Sequence, residues 1–247
     1  MKEWNYENEQ WTKLPAHLKH LPLFTRHIDW TSMVIRFIWS IVLKRWFFKF
    51  YIRLKVKGSF RELYEKYPKL IIISNHASHL DATSIAAAIP YRYWPELYIT
   101  AAKDYFFTNP LFTFFSAHCL GAIPIERKDK KGETVKLIIT LLRDLDRMWM
   151  IFFPEGTRSK DGKVQDFKRG VAIFSEKTKT PVLFLFIEGN SALWPKGAWF
   201  AKPGPLVVHV GPVVQPGPVE AISEEYRKWA SSIDPKAFEP ETNIGGT

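Results

Sequence analysis

The sequence predicts an α/β fold, a mainly parallel central sheet flanked by helices, with an N-terminal basic-aromatic helical subdomain ahead of it. Three observations carry this. Short apolar runs, such as residues 70–74 and the wholly apolar 148–153, lack polar alternation, as strands covered on both faces require. Stretches with a helical apolar period, such as residues 132–147, lie between such runs. Of 247 residues, 46% are hydrophobic and 15% aromatic, enough for a large core and too many for a disordered chain.

Residues 1–29 are polar with scattered Trp and Pro, and lead into a segment of different texture. Residues 30–61 hold eight Lys or Arg and no Asp or Glu, so +8 of the formal +10 sits there. The same stretch has nine of the 38 aromatic residues. At about 100° per residue, Trp39, Leu43, Trp46 and Phe50 share one helical face, with Phe47 and Leu54 close by. Lys44, Arg45 and Lys49 point elsewhere. Trp and Phe suit a headgroup boundary and Lys and Arg suit anionic lipid, so an interfacial helix is one reading. A helix packed on the domain with a solvated basic face is another. Single-stranded nucleic acid is a third, although no recognition-module signature is present. The uncharged run 37–43, even extended through Arg36 to Met33, is far shorter than the roughly 20 residues of a bilayer span. Met1, Lys2 and Glu3 open a polar run unlike a secretory signal.

From residue 70 onward, apolar runs and helical stretches alternate. Strands are expected at 70–74, 97–101, 122–125, 148–153, 181–187 and 206–210. Helices are expected at 82–89, stopped by Pro90, and at 132–147, with Val135, Ile138, Ile139 and Leu142 on one face. Further helices are expected at 170–177, at 219–232 and in part of 104–118. The organisation is an N-terminal segment over residues 1–61, a domain over 62–233 and a loose tail over 234–247. The single Cys119 excludes an intramolecular disulfide framework and a multi-Cys metal knuckle, and its apolar surroundings mark it as core.

Candidate chemistry falls at strand ends, where open α/β sheets place their sites. Asn75-His76-Ala77-Ser78-His79-Leu80-Asp81 follows the first apolar strand. An imidazole acting as general base needs a carboxylate to fix its tautomer, and Asp81 can fold back onto His76. With no adjacent nucleophile, the pair would activate a hydroxyl that the substrate supplies. Ser78 or Asp81 could instead cap the following helix, and His76, His79 and Asp81 are also conceivable metal ligands. Phe152-Phe153-Pro154-Glu155-Gly156-Thr157-Arg158-Ser159 follows the strongest strand. Its glycine permits close ligand approach, its Arg158 offers a fork of donors for phosphate, and Thr157 and Ser159 add hydroxyls. Gly121 to Arg127 forms a strand ending in a guanidinium, and Phe167-Lys168-Arg169-Gly170 is a basic turn before a helix. No nucleophile elbow, phosphate loop or dinucleotide fingerprint is present.

In this order the four blocks resemble the glycerolipid acyltransferase family, typified by 1-acylglycerol-3-phosphate acyltransferase, whose mark is His-x4-Asp followed by Glu-Gly-Thr-Arg. Asn75, His76, Ser78 and Asp81 match the first block, Gly121 and Arg127 the second, and Pro154 through Ser159 the third. Phe167 to Gly170 resembles the basic turn, and Pro181-Val182 the fourth block. The resemblance implies acyl transfer from acyl-CoA or acyl carrier protein to a glycerol-backbone hydroxyl, with His76 as base and Asp81 as its partner. It implies an acceptor site of Arg127, Glu155, Gly156, Thr157, Arg158 and Ser159, with Lys168 and Arg169 assisting. No metal or redox cofactor and no nucleic-acid partner are implied. The expected acceptor is 1-acylglycerol 3-phosphate, with another lysolipid or glycerol 3-phosphate as alternatives. The expected location is the cytoplasmic face of a membrane, peripheral or monotopic. A membrane-binding module with an inactive site and a metal-dependent hydrolase are the readings from other classes.

Overall fold

The computed structural model describes residues 30–102, 116, 119–125 and 132–239. Among them, seven strands form one sheet in the order β1-β7-β6-β2-β5-β3-β4. These are β1 (Leu54–Lys57), β2 (Lys69–Ile73), β3 (Leu97–Ala102), β4 (Ala122–Ile125), β5 (Met148–Phe152), β6 (Val182–Glu188) and β7 (Leu206–Val214). Neighbours run parallel except β6 and β7, which pair antiparallel. The parallel centre explains the unbroken apolar runs. Ile71 and Ile73 face one layer while Leu70 and Ile72 face the other, and all four are fully buried.

The first layer contains α4 (Glu133–Asp144), α5 (Gly170–Thr178) and α7 (Val219–Ser231), with Leu141, Phe174 and Tyr226 packed on β2, β5 and β6. The second contains α1 (Trp30–Ser40) and its continuation Ile41–Tyr51, together with α3 (Asp81–Ala88). Two short helices, α2 (Arg61–Lys66) and α6 (Asn190–Leu193), and a 3-10 turn at Tyr91–Glu96 complete the connections and were not expected from the sequence.

The N-terminal segment departs most from the sequence expectation. Beyond Ser40 the helix widens to π winding, closing with a 2.9 Å bond from the Ile52 amide to the Phe47 carbonyl, five residues back. The inward residues therefore become Leu43, Phe48 and Ile52, all buried in the second layer. Trp46 and Phe50, which a 3.6-residue period places beside Leu43, are 66% and 64% exposed. Arg36 and Lys44 turn inward: Arg36 donates 2.8 Å to the Trp94 carbonyl and Lys44 donates to that of Ile89. Burial lowers the Lys44 pKa to about 8. Arg53, at φ 52°, ends the helix, and Leu54 begins an edge strand instead of extending the helical face.

At the other end, the looseness expected from Asp234 does not hold for Pro235–Phe238. These residues form a 3-10 turn, buried at Ala237, whose carbonyl accepts from the Val164 amide at 2.9 Å. Strand β7 runs to Val214, past the expected end at Val210. Apart from Ser116, the helical expectation over 104–118 lies outside the described residues, as do 1–29 and 240–247. Cys119 is buried, and burial pushes its thiol pKa up to about 11, consistent with a core role.

Candidate active site

Strand β2 delivers its loop at the carboxyl edge of the sheet, between the ends of β5 and β6. Asn75 locks the exit. Its Oδ1 accepts from the Ile187 amide at 2.8 Å, its Nδ2 donates to the Ile187 carbonyl at 3.0 Å, and its own amide donates to the Tyr226 hydroxyl at 3.0 Å. The next six residues fold around one carboxylate. Asp81 Oδ2 lies 2.8 Å from His76 Nδ1 and accepts from the Ala77 and Ser78 amides, each at 2.8 Å. Its other oxygen, Oδ1, accepts from Asn190 Nδ2 at 2.8 Å. Asp81 is completely buried, so the partners supply what water would otherwise supply.

This geometry bears on the alternatives left open by spacing. Asp81 accepts from amides that precede it in the chain, so it does not cap α3 in the ordinary sense. With Nδ1–H given to the carboxylate, the lone pair of the imidazole is at Nε2. The Ser78 hydroxyl is also committed: it donates 2.9 Å to the Trp194 carbonyl and accepts from the Leu80 amide at 3.1 Å. Both Asp81 oxygens are engaged by protein donors. Among the described residues no group of three His, Cys, Asp or Glu is placed to hold a metal ion. The His76 ring stacks on Phe153, centroids 4.0 Å apart and planes 16° apart, which fixes the second axis of the ring.

The loop after β5 touches the first loop through its backbone. The Ser159 amide donates 2.7 Å to the His76 carbonyl, and the His76 amide donates 2.8 Å to Glu155 Oε1. Glu155 is buried beneath the site, and its Oε2 has no hydrogen-bond partner among the described residues. Burial pushes its pKa up to about 8, against the lowering effect of the His76 and Gln165 amides. Gly156 turns the chain at φ +73°, and a Cβ there would sit 2.6 Å from Lys168 Nζ. With glycine here, Lys168 crosses the loop in close contact with it.

A cavity of about 640 Å³ opens over these loops. His76, Thr157, Arg158 and Lys168 line its polar part, and Ile99, Ala101, Leu120, Ile125 and Trp194 its apolar part. Arg158 Nη1 is buried without a hydrogen-bond partner among the described residues. A guanidinium nitrogen in that state is suited to an anion brought by a ligand. His79 also lines the cavity; burial, and then the Arg158 charge, lower its pKa, which favours a neutral ring.

The residues singled out in the sequence therefore divide. His76, Gly156, Thr157, Arg158 and Lys168 meet at the cavity, and Asp81 stands directly behind His76. Glu155 and Ser159 do not reach it: Glu155 supports the His76 backbone, and Ser159 is buried with its hydroxyl 2.8 Å from Asp161. Arg169 begins α5 on the exposed surface and does not line the cavity. Arg127 lies outside the described residues. Asn190 and Trp194 escaped sequence reasoning, and Phe153 stands in its sequence block without a role. Asn190 stands two residues after β6, near a strand end, but a lone Asn carries no spacing signal.

Comparison with known proteins adds independent findings. Residues 54–188 match the Acyltransferase family. A 1-acyl-sn-glycerol-3-phosphate acyltransferase from Limnanthes douglasii is 29% identical over 66% of this chain and 55% of its own length. A chloroplastic 1-acyl-sn-glycerol-3-phosphate acyltransferase from Brassica napus is 29% identical over 52% of this chain and 35% of its own length. The chain thus spans about a third to a half of these relatives. The crystal structure of the 1-acyl-sn-glycerophosphate acyltransferase PlsC from Thermotoga maritima superposes with a TM-score of 0.60 at 25% identity. That match covers 85% of this chain and 83% of the other.

Proposed function

The chain belongs to the acyltransferase family, and on that premise we propose that it carries a fatty acyl group from acyl-CoA or acyl carrier protein to the free hydroxyl of 1-acylglycerol 3-phosphate, giving phosphatidate. The observation that carries the reading is the His76–Asp81 pair, held at 2.8 Å on the wall of a cavity that also presents Arg158 Nη1, without a hydrogen-bond partner among the described residues.

In this reading His76 Nε2 takes the hydroxyl proton as the acceptor oxygen attacks the thioester carbonyl. The C–O bond forms, the C–S bond breaks, and the departing sulfur receives the proton back from the imidazolium. Asp81 balances the transient positive charge. Its place in a closed ring of donors holds it still, so little reorganisation accompanies the transfer. Arg158 and Lys168 hold the acceptor phosphate, the resemblance adds Arg127, and the apolar part of the cavity takes an acyl chain. Glu155 is assigned to support of the catalytic loop instead of acceptor binding. The step balances without a metal or redox group.

The N-terminal helix is assigned to a membrane interface on the cytoplasmic face. No helix among the described residues is long and apolar enough to cross a membrane. Trp30, Phe37, Ile38, Trp46 and Phe50 are each more than half exposed, and Arg45 and Lys49 lie open beside the last two.

The test is release of free thiol from long-chain acyl-CoA in the presence of 1-acylglycerol 3-phosphate, with products identified by mass spectrometry over a panel of lysolipids and glycerol 3-phosphate. His76→Ala should lower the rate at least about 10²-fold. Full activity in that variant, or no thiol release by the wild type with any acceptor and either donor, would overturn the reading.

A further inference from the structure

The segment 194–202 has its base at the catalytic loop and its tip in water. At the base, His79 N and Ser78 Oγ both donate to the Trp194 carbonyl, at 3.1 and 2.9 Å, and Pro195 bridges to Ser78. The turn is closed by the Ala198 amide on the Pro195 carbonyl at 3.1 Å and by Trp194 Nε1 on the Ala198 carbonyl at 2.9 Å. The Lys202 amide returns the chain to the Leu193 carbonyl at 2.7 Å. On this braced turn, Trp199 and Phe200 are 88% and 83% exposed, the most exposed large apolar side chains among the described residues.

We propose that Trp199 and Phe200 form a second membrane contact, which inserts into an anionic leaflet beside the cavity mouth. The inference rests on the acyltransferase reading. Two features select a lipid surface as the occupant. The first is charge: Lys196 and Lys202 flank the tip, both exposed, and no Asp or Glu occurs between Glu188 and Glu220. The second is continuity with the interfacial helix. The Tyr51 hydroxyl donates 2.7 Å to the Ala201 carbonyl and the Gly204 amide donates 3.2 Å to the Tyr51 carbonyl, so the turn is tied to the helix end that exposes Phe50. Trp194 and Lys196 belong to both the turn and the cavity lining. Insertion of the tip therefore sets the cavity mouth against the leaflet, and a lysolipid reaches His76 without crossing bulk water.

The experiment uses the full chain with Trp199→Cys carrying an environment-sensitive fluorophore, and a parallel Phe50→Cys protein. Cys119 is buried and does not compete for the label. Vesicles of phosphatidylcholine with phosphatidylglycerol should shift the position-199 emission to the blue, and spin-labelled lipid should quench it. The double variant Trp199→Ser/Phe200→Ser should bind such vesicles about tenfold or more weaker. It should turn over bilayer-embedded lysolipid correspondingly slower, while turnover of a short-chain, water-soluble lysolipid stays at the wild-type rate. A probe at 199 that remains in water while the probe at 50 enters the bilayer overturns the inference and leaves the acyltransferase reading intact. A blue shift without vesicles that grows with protein concentration also overturns it, by assigning the tip to a second copy of the chain. Absence of wild-type turnover on every acceptor, soluble or bilayer-embedded, with either donor refutes the acyltransferase reading instead, and the probe then still decides where the tip lies.

Discussion

Asp81 accepts four hydrogen bonds, and only the one from Asn190 comes from a distant part of the chain, 109 residues away. Asn190 touches neither the cavity nor His76, so it acts by positioning. Loss of a hydrogen bond to a buried charge costs about 1.5–3 kcal/mol. Asn190→Ala should accordingly lower kcat by roughly ten- to a hundredfold with KM little changed, measurable by steady-state thiol release. Asn190→Asp, which sets a second carboxylate against the first, should lose more. Glu155 makes a different prediction. Its pKa is raised from 4.5 to about 8, so between those values the folded state holds a proton that the unfolded state has lost. Stability should therefore fall as pH rises from about 4.5 to about 8, by an amount on the order of a few kcal/mol. Glu155→Gln should remove that slope, and urea unfolding at pH 5 and pH 8 checks it. At Gly156, a methyl group meets Lys168 Nζ at 2.6 Å and φ is +73°. Gly156→Ala should displace Lys168 and raise KM for a phosphate-bearing acceptor about tenfold, with a smaller effect on a neutral lysolipid.

At the scale of elements, the N-terminal helix is the sharpest case of what pattern reading reaches and what it misses. The strands were legible because burial on both faces leaves a contiguous apolar run, as in Met148–Phe152. The catalytic loop was legible because its residues are close in sequence and directly follow a strand. The helix was legible as a helix, but its inward face was not. A period of 3.6 groups Leu43 with Trp46 and Phe50, whereas π winding groups Leu43 with Phe48 and Ile52. No residue pattern announces that change of winding, which sets Phe48 and Ile52 into the same buried cluster as Leu70 and Leu183 of the sheet. The same holds for β1, whose Leu-Lys-Val-Lys reads as a helix end until β7 is beside it. The two faces predict opposite behaviour. Phe48→Ala should destabilise the fold by about 3–5 kcal/mol. Trp46→Ala and Phe50→Ala should leave stability within about 0.5 kcal/mol and weaken vesicle binding, as read by flotation.

For the whole molecule, the +10 is concentrated instead of diffuse, with +8 in residues 30–61. Two of those charges, Arg36 and Lys44, are spent on backbone carbonyls of the domain, and on the proposed interfacial reading the outer ones face an anionic leaflet. Each Lys or Arg near such a surface contributes about 1 kcal/mol. Binding to phosphatidylglycerol vesicles should therefore weaken steeply as salt rises, while the residual binding to neutral vesicles, carried by aromatic side chains, changes little. A sedimentation series over salt concentration distinguishes the two terms.

The parallel pairing of Leu54 with Leu206 has a bearing on how the protein is made. Synthesis runs from the N-terminus, so the basic aromatic segment leaves the ribosome roughly 150 residues ahead of the strand that receives β1. For most of translation β1 has no strand to pair with. On the interfacial assignment proposed above, a nearby membrane surface would receive such a segment. The nascent chain would then already be on the bilayer when its last strand, β7, completes the sheet.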